Sequence, residues 1–161
     1  MTNTPRISTS GRHLTVIDIE NLAATPNPRR EAVRTISTAL RDAVPGYDDA
    51  QRIVACSHHA APTVAFEFPA ARHLWRSGRN GADLAILDVL KTERVGERFD
   101  RVTICSGDGI FAESAARLAS AGIEVTVVSL PDQLAVRLEL AARTVTLLAA
   151  TSRNMATGSA S

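Results

Sequence analysis

Short apolar runs that alternate with longer stretches of helical period constrain this chain more than any other feature. That alternation marks strand–helix–strand units and a parallel sheet. The runs are 13–19 (HLTVIDI), 52–56 (RIVAC), 72–75 (RHLW), 101–105 (RVTIC) and 123–129 (IEVTVVS), and 143–148 is a further extended segment. Between them, 29–44 carries Ala32, Val33, Ile36, Ala39, Leu40 and Val44 at helical spacing and is stopped by Pro45-Gly46. A loop holding Pro26 and Pro28 precedes that helix, and 57–69 reads as a loop with a short helix. The stretches 82–94 and 109–121 are helical, and Pro131 opens a helix that runs to Ala141. An open, mostly parallel sheet with helices on both faces follows, and the 161 residues suit one domain. The domain is expected over 13–150, between polar, flexible tails at 1–12 and 151–161.

Composition adds exclusions rather than an identity. The formal net charge is only +1, so no global basic field announces nucleic acid. Lys91 is the only lysine, the other positive charges being arginines, which suit bidentate phosphate contacts but equally reflect a GC-rich coding sequence. Cys56 and Cys105 lie in apolar runs with no CxxC partner, as buried thiols in a reducing compartment do. No apolar run approaches the ~18 residues of a membrane helix, and the polar N-terminal stretch has no signal-peptide core. A cytoplasmic protein without membrane contact is expected.

Open parallel sheets bind ligands beyond the carboxyl ends of their strands, where strand order reverses. Three distant aspartates fall at that edge: Asp18 in VIDIEN, Asp83 in NGAD and Asp108 in ICSGDG. Carboxylates drawn together repel, so one must take up a proton unless a cation compensates. An oxygen-only set suits Mg²⁺ or Mn²⁺. Asp83 and Asp108, at helix starts, are equally explained as N-caps, whereas Asp18 interrupts an apolar strand and is harder to explain that way. Asn21 can orient Asp18 or shape the loop. Glu20 alternates away from Asp18 if the strand continues. Asp88, five residues after Asp83, is about 140° further round the helix and is a candidate supporting group or a solvated one.

VIDIEN, NGADLAILDVL and SGDGIF, followed by LASAGIEVTVVS, resemble the NYN domains, a branch of the PIN-like metal-dependent ribonucleases. The resemblance spans 13–148. It implies a Rossmann-like three-layer α/β sandwich, a site holding Mg²⁺ or Mn²⁺, and hydrolysis of RNA phosphodiesters. Carried over by motif, it assigns Asp18, Asn21, Asp83 and Asp108 to catalysis. Asp18, Asp83 and Asp108 become metal ligands, with Asp88 as an additional candidate. Family members often carry a further acidic residue where Ile110 stands, which keeps open an RNA-binding or regulatory module with weak or no turnover.

A carboxylate cluster repels RNA, so a nuclease needs cations at its rim. Arg76 and Arg79, in the loop before Asp83, and Arg30, after the first strand, are the candidate phosphate contacts, with backbone N–H groups near Ser106 beside them. Trp75 can stack a base or belong to the core. His58 and His59 stay outside the catalytic set. A phosphoacceptor or phosphohydrolase domain ranks last, because Lys91 is mid-helix, and no GxGxxG or GxxxxGK[ST] is present. A homodimer and a separate protein partner for substrate choice are further expectations.

Overall fold

The computed structural model describes residues 11–149 and is an α/β sandwich. Its elements are β1 (His13–Asp18), α1 (Ile19–Ala23), α2 (Arg30–Ala43), β2 (Gln51–Cys56), α3 (Ala61–Glu67), β3 (Arg72–Trp75), α4 (Gly81–Thr92), α5 (Val95–Arg98), β4 (Arg101–Cys105), α6 (Ala112–Ser120), β5 (Glu124–Ser129), α7 (Val136–Ala141) and β6 (Thr144–Leu147). All six strands are parallel, in the order β3-β2-β1-β4-β5-β6. This is the Rossmann-like arrangement, with the extended segment at 143–148 forming the sixth strand.

Strand alternation builds the two cores. Leu14, Val16, Ile53, Ala55, Val102, Ile104, Val125 and Val127 point to the face covered by α4, α5, α6 and α7. Ile17, Val54, Cys56, Cys105 and Val128 point to the face covered by α1, α2 and α3. Burial on both faces explains why the strands read as near-continuous apolar runs. Burial also pushes the thiols of Cys56 and Cys105 upward, so both stay protonated. Among the described residues no helix is long and apolar enough to cross a membrane.

Three local expectations are corrected. Strand β1 stops at Asp18, because the Asp18 carboxylate accepts from the Asn21 N–H at 3.3 Å and starts α1, where the sequence suggested strand and then loop. The helix expected from Pro131 begins at Val136 instead. Residues 131–133 form a turn, and the Ala135 N–H donates to the Gly107 carbonyl at 2.9 Å, drawing the segment across the end of β4. The helix expected over 109–121 is a 3-10 turn, Gly109–Phe111, followed by α6.

The tail expectations for 1–10 and 151–161 lie outside the described residues. Arg12, placed in the N-terminal tail by the sequence, is held: its N–H donates to Asp100 at 2.7 Å and its carbonyl accepts from Asp100 and Arg101.

Candidate active site

Strand order reverses at β1. The chain builds outward from β1 through β2 to β3, then α4 carries it back past β1 to β4 on the other side. The crevice at that switch point opens beyond the carboxyl ends of β1 and β4. Asp18 is the last residue of β1, and Asp108 lies three residues beyond β4. Asp83 lies in the first turn of α4, on the stripe with Ala82, Ile86, Leu87 and Leu90 that faces the sheet. One pocket of about 160 Å³ is lined by Asp18, Glu20, Asn21, Asn80, Asp83 and Asp108, among others.

Asp83 stands between the other two aspartates. Asp83 hydrogen-bonds both Asp18 and Asp108, and its carboxyl is pushed up to about 9, first by burial and then by those two neighbours. Asp18 is also raised, by burial, against the opposing effect of hydrogen bonds from Asp83, Asn21 and Ser106. Among the described residues no three His, Cys, Asp or Glu side chains are set around one point as a metal's ligands are. Burial and close approach keep a proton on Asp83 and favour the protonated form of Asp18.

Of the two caps that the sequence suggested, Asp108 is one and Asp83 is not, and Asp18, where a cap was the harder explanation, is a third. Asp18 caps α1, and Asp108 caps the 3-10 turn by accepting from the Ile110 N–H at 3.0 Å. Asp83 sits inside α4, whose N-cap is Asn80, and makes no cap bond of its own. Asp83 is only 8% exposed. It caps no helix end, so the capping explanation that the sequence offered fails at this position.

Asn21 ties the two halves of the site together. Its N–H donates to Asp18, and its side-chain oxygen accepts from the Gly107 N–H at 2.9 Å. The Ser106 side chain does not reach the rim, and the N–H groups that follow it are taken, that of Gly107 by Asn21 and that of Asp108 by Ser106. Ser106 is 1% exposed, and its hydroxyl donates to Asp18 at 3.3 Å while accepting from the Asp108 N–H at 3.2 Å. It therefore positions both acids from beneath.

Gly107 is required by packing. A Cβ there would lie 2.1 Å from the Gln133 carbonyl oxygen and 2.5 Å from the Ser129 hydroxyl, both fixed parts of the fold. At Gly109 the nearest atoms to such a Cβ belong to the flexible Arg137 guanidinium, at 2.3 Å. Gly107→Ala is therefore expected to destabilise by ~2–3 kcal/mol, as overpacking does, and Gly109→Ala by clearly less. Urea midpoints of the two variants check this, and equal midpoints would contradict it.

The remaining sequence candidates separate from the pocket. Asp88 is exposed on the far side of α4 and pairs with Arg76 at 2.9 Å, so it does not join the other acids. Arg30 pairs with Glu67 at 3.0 Å, and its guanidinium lies 4.0 Å above the Phe66 ring, away from the pocket lining. Arg79 is exposed beside Asn80 and has no ion pair among the described residues.

Sequence reasoning missed Glu20 and Arg137. Glu20 lines the pocket because α1, not a continuing strand, carries it, and its carboxylate accepts from the Ser57 N–H at 2.7 Å. Arg137, on α7, lays an exposed guanidinium against Gly109, next to Asp108, with no ion pair or hydrogen bond among the described residues. Nothing in the sequence near Arg137 signals that placement. Only the packing of the 131–135 segment against Gly107 produces it.

No protein-family model matches the chain, and no curated protein sequence does. In fold it is similar to a Vibrio parahaemolyticus protein of unknown function, with a TM-score of 0.56 and 16% identity over 89% of this chain and 96% of that one. It is also similar to the Escherichia coli YcaC gene product, an octameric hydrolase of unknown specificity, with a TM-score of 0.50 and 13% identity over 91% and 80% of the two chains. YcaC from Pseudomonas aeruginosa gives a TM-score of 0.50 and 13% identity, over 97% and 83%. At such identities the likeness concerns the fold alone.

Proposed function

We propose that the chain is a Mg²⁺- or Mn²⁺-dependent endoribonuclease of the NYN, PIN-like kind, acting on single-stranded or structured RNA at the Asp18–Asp83–Asp108 pocket. The observation that carries this reading is the convergence of three carboxyls from separated segments, one of them with no capping role and raised by its burial and then by the other two. Hydrolysis on a similar fold, in the Escherichia coli protein, is compatible with it.

In kind the donors suit a hard divalent ion, being oxygen only, although the three side chains are not set around one point. Asp18, Asp83 and Asp108 would hold it, with Glu20 at the pocket wall. A divalent ion there supplies Lewis-acid polarisation of a phosphoryl oxygen and neutralises transition-state charge. The protein's own groups do the positioning. Asn21 and Ser106 fix the orientation of Asp18 and of the turn carrying Asp108. Arg79 and Arg137, next to Asn80 and Asp108 and without ion pairs among the described residues, can take phosphates on either side. Arg76 can do so only by leaving Asp88.

Incubation of a mixed RNA pool with Mn²⁺ and with EDTA tests the reading. Products are expected only with Mn²⁺, and equal cleavage in both would end it. Arg137→Gln is expected to weaken RNA binding and to lower the slope of log affinity against log salt by about one, as loss of one phosphate contact does. Anisotropy titrations at several salt concentrations measure it, and an unchanged slope would remove Arg137 from the interface. One observation favours a second reading, an RNA-binding module without turnover. Ile110, where relatives often carry an acid, is packed against the core and contributes no carboxylate. RNA retention without product in any metal would select it.

A further inference from the structure

Trp75 is the chain's only tryptophan and is 51% exposed, although a ring of that size ordinarily finds cover. It ends β3, an edge strand, and lines a groove of about 390 Å³ together with Arg76, Leu74 and Asp88. The indole is braced on one side. His73, two residues earlier and so on the same side of the strand, stacks at 6.4 Å with a 40° tilt, and its Nε2 is itself fixed 2.8 Å from the Phe68 carbonyl. Beyond it, Ser77 is tied to His58 at 2.7 Å, which joins the loop after β3 to the loop after β2.

Register gives the distance to the acids. Asp18 is paired with Ala55, and the next residue, Cys56, is paired with Trp75. The Trp75 backbone therefore stands two strands from that of Asp18 and almost level with it, about 10 Å away at the usual strand spacing, and the indole, alternating with Leu74, leaves the sheet edge on the face opposite the Asp18 carboxylate. That distance is the span of one or two nucleotides, and Arg79 and Asn80 occupy the loop between Trp75 and Asp83.

Resting on the nuclease reading above, we propose that Trp75 is a base-stacking platform. It holds one unpaired base of a single-stranded RNA whose backbone crosses the carboxylate pocket one or two nucleotides away. A duplex hides its base faces and cannot use the indole. A peptide added to the sheet edge fits less well, because β3 offers only four residues, of which the first, Arg72, is committed to Glu93, while Arg76 just past its end is committed to Asp88.

The sole tryptophan makes the test direct. The full chain in EDTA is titrated with an unstructured 5′-labelled ribo-oligonucleotide, reading label anisotropy for binding and protein emission for stacking. Expected are saturable binding, quenching that saturates with it, ~5- to 100-fold weaker binding by Trp75→Ala, and near-parental binding by Trp75→Phe. Thermal unfolding of both variants should match the parent, since the indole is half exposed. Binding with unchanged emission, or unaltered affinity in Trp75→Ala, overturns the platform but leaves the nuclease reading intact. Equal quenching by a blunt duplex also overturns it. No binding of single-stranded RNA removes the platform, while Mn²⁺-dependent cleavage of the RNA pool still tests the nuclease reading separately.

Discussion

Replacing Asp83 by asparagine is expected to lower Mn²⁺-dependent RNA hydrolysis by ~100-fold or more, the scale of several kcal/mol of lost transition-state stabilisation, without loss of fold stability. Activity and stability part here because of the state of the carboxyl. Burial and the adjacent Asp18 and Asp108 keep a proton on Asp83 up to about pH 9 when no cation is bound. An asparagine side chain of the same shape is already neutral and can donate to both neighbours, so the metal-free fold accepts it. What it lacks is the negative charge that a divalent ion requires.

The pH dependence of the same pair sharpens the test. The unfolded chain gives up the Asp83 proton near 3.8 and the folded chain only near 9. The folded state thus binds the extra proton throughout that window, and the parent loses stability as pH rises through it. The variant has no such loss. In EDTA its urea midpoint is expected to match the parent's at the acid end of the window and to exceed it increasingly toward pH ~9. Full hydrolytic rate in the variant, or a gap that closes as pH rises, would contradict this account.

Much of this site was legible because its acids interrupt strongly patterned segments. The strands that carry Asp18 and precede Asp108, β1 and β4, are apolar runs buried along their whole length, which leaves few alternatives to a central parallel strand. Asp18 is conspicuous for ending such a run. The structure adds that Asp18 is also a helix cap, which the sequence hid because a five-residue helix shows no periodicity. The same short helix explains Glu20: alternation holds only while the strand lasts, and the strand ends at Asp18.

Asp88 was the converse case. Its spacing from Asp83 already put it round the helix, and Arg76 then captured it. Arg30 and Ser106 failed for a different reason. Sequence proximity to a motif says nothing about whether a side chain is buried beneath it, as Ser106 is, or drawn off by an acid from a remote helix, as Arg30 is by Glu67. Arg137 required tertiary packing to be found at all.

At the opposite end of the sheet, His13 is expected to set an acid limit on stability. The ring is buried at the start of β1. Its Nε2 lies 2.8 Å from the Thr103 hydroxyl and 3.3 Å from that of Thr15, while its Nδ1 has no partner among the described residues. Burial, and then the nearby Arg101 guanidinium, lower its pKa from 6.5 to about 4. The unfolded chain therefore takes up a proton on this ring that the folded chain refuses between those values, and stability falls as pH drops through the window, by about 3 kcal/mol in all. In the parent this slope is masked, since Asp83 contributes one of opposite sign over the same range. It should emerge in Asp83→Asn, and His13→Gln added to that variant should flatten it, the amide keeping a partner for Thr103 without a proton to gain. Urea midpoints of the single and double variants from pH ~4 to ~7 compare the two directly. Parallel profiles would show that the imidazole titrates alike in both states. Divergence would mean that metal-free stability is limited from the acid side by a ring under one end of the sheet and from the alkaline side by a carboxyl at the other.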